Sequence, residues 1–477
     1  MNESYDLVII GAGPAGIAAA KEASAQNVDS ILLVDRDTDL GGILNQCIHM
    51  GFGLKEYGQE LTGPEYAHRA QADLLDQAQK GLDISLNTFA VGIEKMSAGY
   101  EVGLSSPDFG FCKIQARSII LAQGCKERTA GQLKIAGSRP AGIYTAGSVQ
   151  QMINIANMRP GSQAIILGLG DIGLIAARRL MLEGMDVKLI VGQFAGGLLR
   201  NYINCVQNFG IEVKLAYTVV KLYGNGRLEG VDIAPISADG VIDYTKTQYI
   251  ACDTLIVAAG LMPEVELFAD MGDIAQDAQL NDHHGIGIDI HMQTSMPGVF
   301  AAGNVVRVYD TADEVSRAGA QAGYQAAKWL DESYPTLTVG APLGGGGRKL
   351  TEEDLEGLNS SILCTRCPRG CSLIVKRSQG KIVSVSGNRC ERGREFALNY
   401  EDEKKDIICT TVKIQGAQIG LLPVKSQKAL TQQEAYEFIG ACSDICLKAP
   451  YSCGDRISLS DSPCDALATR TLLSVEG

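Results

Sequence analysis

The sequence predicts an α/β fold class, with two Rossmann-like dinucleotide-binding domains followed by a small α+β metal-binding domain. Three observations predict it. A G-x-G-x-x-G motif follows an apolar run at "YDLVIIGAGPAGIAAAKEA" and returns at "QAIILGLGDIGLIAARRLMLEG", with Gly11 and Gly168 157 residues apart. Each copy opens an alanine- or leucine-rich helical segment, as a βαβ nucleotide fold requires. Nine of the fourteen cysteines lie after residue 360, where the composition changes.

The totals restrict the function classes. A chain of 477 residues is too long for one ordinary core. Its 45% hydrophobic and 20% charged residues are those of a globular protein. The formal net charge of −13 argues against broad nucleic-acid contact and against attachment to anionic lipid. "MNESYDLVII" has no basic leader pattern, and no apolar run approaches the roughly 20 residues needed to span a bilayer. A cytoplasmic protein is expected, in which cysteines serve as ligands, redox groups or buried thiols rather than disulfides.

In the first motif, Gly11 permits the tight turn, Gly13 lets backbone approach a pyrophosphate, and Gly16 packs helix on strand. Pro14 and Ala15 complete the turn into the helix, whose N-terminus offers unpaired N–H groups to an anion. The next strand, "SILLVD", ends in Asp35, nineteen residues beyond Gly16 and placed for ribose hydroxyls. The second motif comprises Gly168, Gly170, Asp171, Ile172 and Gly173. Its following strand, "DVKLIV", ends at Val191-Gly192-Gln193, without the acid that reads a ribose or a base that reads a 2′-phosphate. The missing charge-assisted hydrogen bonds would cost about 1.5–3 kcal/mol. Gln193 is placed to recover part of this.

"VGAPLGGGGRKL" reads as a flexible linker. Beyond it the spacing is Cys364-x2-Cys367-x3-Cys371-x18-Cys390. Three close cysteines plus a remote one suit a cubane iron–sulfur cluster, while zinc more often takes two separated C-x2-C pairs. Both metals stay open on the spacing. "SLIVKRSQGKIVSVSG" reads as a β-hairpin that returns Cys390 to the loop. Cys442, Cys446, Cys453 and Cys464 are irregularly spaced and read as structural thiols. Cys112, Cys125, Cys205, Cys252 and Cys409 read as core residues.

Residues 4–335 resemble the two-dinucleotide-binding-domain flavoproteins, the fold of glutathione reductase and thioredoxin reductase. The resemblance rests on the two motifs, on Ala122-Gln123-Gly124 and Ala258-Ala259-Gly260 at the domain crossings, and on "VFAAGNV". It implies FAD at the first motif, with Gly42, Gly124, Gly303 and Asn304 in the cofactor set, and NAD(H) or NADP(H) at the second. Asn304 stands where the family usually has Asp. "LGGILNQCIHMGFG" occupies the place of the disulfide reductases' C-x4-C but holds Cys47 alone, so an intramolecular dithiol is not expected there. Cys47 as a thiolate near the flavin and His49 as a general base are the candidate catalytic groups, weighed against a buried small hydrophobe and a core histidine.

"GGILNQCIH", "GCKERTAG" and "RPAGIYTAGSVQ" look like the NAD(P)/FAD-dependent oxidoreductases found with bacterial anaerobic-type glycerol-3-phosphate dehydrogenases. That resemblance implies a glycerol-3-phosphate dehydrogenase-like flavoprotein subunit as partner. A homodimer is compatible with it. Residues 360–475 resemble the [4Fe–4S] segment of molybdopterin formate dehydrogenases and a small bacterial domain of unassigned role. This implies a [4Fe–4S] cluster on Cys364, Cys367, Cys371 and Cys390, with zinc as the alternative.

The expected domains are FAD-binding 1–155 and 263–335, NAD(P)-binding 156–262, a linker 336–358 and an iron–sulfur domain 359–477. The expected function is electron transfer between nicotinamide, FAD and the cluster, alongside the partner. The alternatives are a self-contained NAD(P)H oxidase or reductase using Cys47, and a non-catalytic docking subunit with a vestigial nicotinamide site and structural zinc.

Overall fold

The computed structural model describes residues 1–78, 81–269, 284–331, 349, 351, 362–367, 369–378, 381–398, 400 and 405–475. The chain forms two compact units, one of residues 1–126 and 261–344, the other of 127–260 and 345–477.

The first unit is built on a seven-stranded sheet. Leu82–Ser85, Ile31–Val34, Ser4–Ile10 and Gly110–Leu121 run parallel in that order, and Val299–Ala301 joins Gly110–Leu121 in parallel. "ILLV" is buried at every position, the pattern of a parallel strand covered on both faces. The helix Pro14–Ala25 lies against Ala312–Leu330 almost backbone to backbone. A side chain at Gly319 or Gly323 would run into the carbonyls of Ala15 and Ala19. Small residues on both helices therefore set the close approach that holds the first glycine motif beside the late segment 299–305.

The second unit carries a five-stranded parallel sheet in the order Ile143–Thr145, Thr254–Val257, Gln163–Leu169, Asp186–Ala195, Val213–Leu215. This differs from the expected edge at 155/156. Ile143–Thr145 pairs with Thr254–Val257, so that strand and the helix Ala146–Asn154 belong with the second sheet, and the chain crosses earlier, at 126/127. The signal was the "AQG" crossing, only two residues upstream.

The cysteine-rich region belongs to this same unit. It has a small antiparallel sheet of Ile362–Leu363, Ser372–Ser378 and Lys381–Ser386, then the helix Glu391–Leu398. The expected hairpin is the pair Ser372–Ser378 and Lys381–Ser386. A five-stranded sheet with the helix Gln432–Asp444 follows. Its core takes in Leu182 from the helix Asp171–Leu182, with Phe209 packed on it. Beside that contact Arg178 Nη1 lies 2.8 Å from Asp406 Oδ2. Arg179 is buried, donating to Asn154 Oδ1 at 2.9 Å and paired with Glu183 at 2.6 Å. Burial pulls the Arg179 pKa down, while Asp406 holds Arg178 charged despite its burial. The region thus shares a core and an ion pair with the second nucleotide fold. The four consecutive glycines of the expected linker lie outside the described residues.

Candidate functional site

The first glycine motif forms a cradle. Gly11 has φ +104°, and an added Cβ would meet the Ala122 carbonyl, so the position accepts only glycine without strain. Gly16 sits on the Gly11 carbonyl, while the space above Gly13 is open. Pro14 begins the helix, with Gly13 as its cap. Asp35 is buried and accepts from the N–H of Ala12 and, at 2.8 Å, of Asp37. Burial pushes its carboxyl pKa up, against those two N–H groups. Leu40 to Gly42 fold back over this cradle. Gly41 N–H donates to Ala12 O at 2.8 Å, and a side chain at Gly42 would come within 3.2 Å of Gly13 Cα.

The late segment reaches the same place. A Cβ on Gly303 would lie 2.9 Å from that of Ala15. Asn304 accepts from Tyr309 N–H at 3.1 Å and donates to Cys125 Sγ at 3.5 Å. Gly124 stands at φ +80° with open space beside it, and its carbonyl accepts from Glu264 N–H at 3.0 Å. The predicted FAD residues are thereby gathered in one unit. The open space at Gly13, the buried acid and the helix N-terminus together suit a dinucleotide phosphate and ribose.

Cys47 is half-buried and ends the short helical turn Gly42–Gln46. Its carbonyl accepts from Gly63 N–H at 2.9 Å. His49 Nδ1 donates to Met50 O at 2.9 Å, and the ring stands 5.1 Å from Phe52.

The second cradle repeats the first in its backbone. Gly168 has φ +129° under the Ala258 carbonyl, Gly173 sits on the Gly168 carbonyl, and the space above Gly170 is open. The polar groups differ. Asp171 accepts from Leu198 N–H at 2.6 Å and from Asn201 Nδ2 at 2.8 Å, tying the following loop to the helix start. Ile172 is exposed. Gln193 donates to the carbonyls of Ser237 at 2.8 Å and Ala238 at 3.3 Å, so its amide N–H is engaged by the protein rather than held for a ribose. A Cβ on Gly192 would lie 3.0 Å from Leu169 Cδ1. Leu169, buried between Gly168 and Gly170, fills the space beside the strand end. The sequence signal for this exchange was a bulky residue inside G-x-G paired with a glycine at the strand end.

In the cysteine region Cys364 and Cys367 are buried, Cys371 is half-buried and Cys390 is exposed. Cys364 N–H donates to Cys371 O at 2.9 Å. The turn after Cys390 closes on this loop: a side chain at Gly393 would come within 3.7 Å of Cys364 Sγ. Burial raises the Cys364 pKa first, and Cys367, Cys371 and Cys390 raise it further. The turn after Cys390 therefore meets the loop that carries Cys364. Among the described residues no three His, Cys, Asp or Glu side chains already stand in a metal-holding arrangement. As a donor set the four thiols fit a soft metal or cluster. Elsewhere, burial pushes Cys442 up to about 12, with Cys464 beside it in the same core. Burial likewise raises Cys205 to about 11 and Cys252 to about 12.

Residues 5–336 match the model of the pyridine nucleotide-disulphide oxidoreductases, more than half of the chain. The chain belongs to that family. A second model, described as a protein of unknown function (DUF1667), matches residues 391–470, beginning one residue after Cys390. Hydrogen cyanide synthase subunit HcnB of Pseudomonas protegens is 28% identical over 327 residues, 63% of this chain and 66% of that one. Sarcosine oxidase subunit alpha of Corynebacterium sp. is 26% identical over 343 residues, 68% of this chain and 32% of that one. The chain thus spans about two thirds of the first relative and about one third of the second. Thioredoxin reductase of T. acidophilum matches the fold with a TM-score of 0.54 at 21% identity, covering 69% of this chain and 99% of that one. The family is one of FAD-dependent oxidoreductases using pyridine nucleotides. No helix among the described residues is long and apolar enough to cross a membrane.

Proposed function

We propose that this family member carries electrons between NAD(P)H, FAD and a [4Fe–4S] cluster held by Cys364, Cys367, Cys371 and Cys390. FAD supplies the exchange between two-electron hydride chemistry and one-electron transfer, and the cluster supplies a one-electron store. The observation that carries this reading is the Cys364-x2-Cys367-x3-Cys371-x18-Cys390 spacing, with Gly393 of the turn after Cys390 set against Cys364 Sγ, in the compact unit that also holds the second glycine motif.

The chain's own part is to bind and orient. Gly11 to Gly16 offer backbone N–H groups and a helix N-terminus to the FAD diphosphate, and Asp35 accepts from ribose hydroxyls. Gly42, Gly124, Gly303 and Asn304 line the same cofactor. Gly168 to Gly173 offer the second diphosphate cradle. The loop 364–371 and the turn after Cys390 exclude water from two of the four thiols.

The chain works in this proposal as a cytoplasmic subunit beside a dehydrogenase. Support comes from the names of HcnB and sarcosine oxidase subunit alpha, which are subunits of larger enzymes. The sequence resemblance specifies a glycerol-3-phosphate dehydrogenase-type flavoprotein as that partner. Metal analysis of anaerobically purified protein tests the cluster. About four iron and four acid-labile sulfide per chain are expected, falling sharply in Cys367→Ser. One zinc with no sulfide would replace the electron-transfer reading with a structural one.

A further inference from the structure

The cysteine motif lies in a basic island on an acidic protein. Residues 364–395 contain eight Lys and Arg against two Glu, a net of +6, so the remaining residues carry −19 of the total −13. Arg366, Arg369, Arg389, Arg392 and Arg394 are all exposed, and each stands within four residues of a motif cysteine. The two loops that carry them meet on one side. The Arg366 guanidinium stands 6.0 Å from the Phe396 ring on the helix Glu391–Leu398, and Gly393 abuts Cys364. Cys390, the one fully exposed thiol of the four, lies between Arg389 and Arg392 in sequence. Tyr400, 42% exposed, adds apolar surface beside the Phe396 ring, 5.6 Å away.

This composition is unusual for a free surface and ordinary for a docking one. Arginine and aromatic residues are enriched at protein interfaces, whereas lysine is depleted. A positive patch on a strongly negative molecule also orients an incoming acidic partner, because the rest of its surface repels the same partner. Nucleic acid would be drawn to the same arginines but would leave the four thiols beside them without a purpose.

We infer that the arginine face around Cys364, Cys367, Cys371 and Cys390 docks a partner protein through an acidic surface. The inference rests on the electron-transfer reading for its purpose and on the arginine face for its geometry. Docking there brings the partner to Cys390, the exposed thiol of the four.

The test uses the full chain, purified anaerobically, with an acidic ferredoxin as the probe and biolayer interferometry as the readout. Affinity is expected to fall at least about tenfold between about 50 and 500 mM salt. Arg389→Glu/Arg392→Glu should lower it by a similar factor at low salt, whereas Arg389→Lys/Arg392→Lys should stay within about threefold. Circular dichroism of each variant separates lost docking from lost fold. Undetectable binding, binding indifferent to salt, or binding unchanged by charge reversal would overturn the inference. Tighter binding of a single-stranded oligonucleotide than of the ferredoxin would also overturn it, in favour of a nucleic-acid surface. Iron and sulfide are measured in the same samples. Salt-dependent docking by protein without a cluster supports the arginine face and removes the electron-transfer reading instead.

Discussion

The two glycine cradles share a backbone and differ in what surrounds it. In both, a glycine with positive φ tucks under a neighbouring strand's carbonyl, a second glycine faces open space, and a third packs helix on strand. At the first cradle the next strand ends in a buried acid, Asp35, fixed by two backbone N–H groups. At the second it ends in Gly192, with the side chain of Leu169 against it and Gln193 turned to Ser237 and Ala238. The cradle backbone is thus duplicated, whereas a buried acid at the strand end is present at one cradle only. Backbone geometry and side-chain readout are separable parts of a dinucleotide site.

The comparison breaks first at the backbone. Gly11→Ala forces a Cβ into the Ala122 carbonyl at a positive φ, and a loss of about 3 kcal/mol or more is expected, with protein that purifies without its yellow colour. Asp35→Asn keeps the shape and removes the charge. It should weaken FAD by about ten- to a hundredfold, read by flavin fluorescence on dilution. The second cradle is where the comparison sharpens. Gly192→Glu alone should crowd Leu169 and gain little. Combined with Leu169→Ala it should tighten NADH by about tenfold, measured by titration. If the double variant binds NADH no better than the native protein, the exchange of Leu169 for an acid does not set the affinity.

A third region tests whether the cysteine domain is part of the nucleotide unit. Asp406→Ala leaves Arg178 without its carboxylate at 2.8 Å, and a loss of about 1–3 kcal/mol is expected in chemical denaturation. The smallest effect is expected at Cys47. Cys47→Ser should change the rate of flavin reduction by NADH less than about twofold, since electron transfer in this account does not pass through that thiol.

Much of this was legible in the sequence, and the reasons are physical. Turns that need glycine, a strand that must end in an acid and a helix of small residues leave local marks, so the first cradle could be drawn from residues 6–35. The hairpin leading to Cys390 announced itself by alternation. What could not be read was any relation set by packing between distant segments. The place of Ile143–Thr145 in the second sheet depends on pairing with residues over a hundred positions away. The Arg178–Asp406 pair joins residues 228 apart, and neither carries a motif. Gln193 was free to serve a ribose until its partners at 237 and 238 were seen.

One measurement bears most directly on a single electron path through this chain. Freshly purified protein is titrated with NADH under anaerobic conditions and followed across the visible spectrum. The account predicts that the flavin bands and a broad iron–sulfur absorbance bleach together. Bleaching by dithionite but not by NADH or NADPH would contradict it, leaving the second cradle without a nicotinamide role.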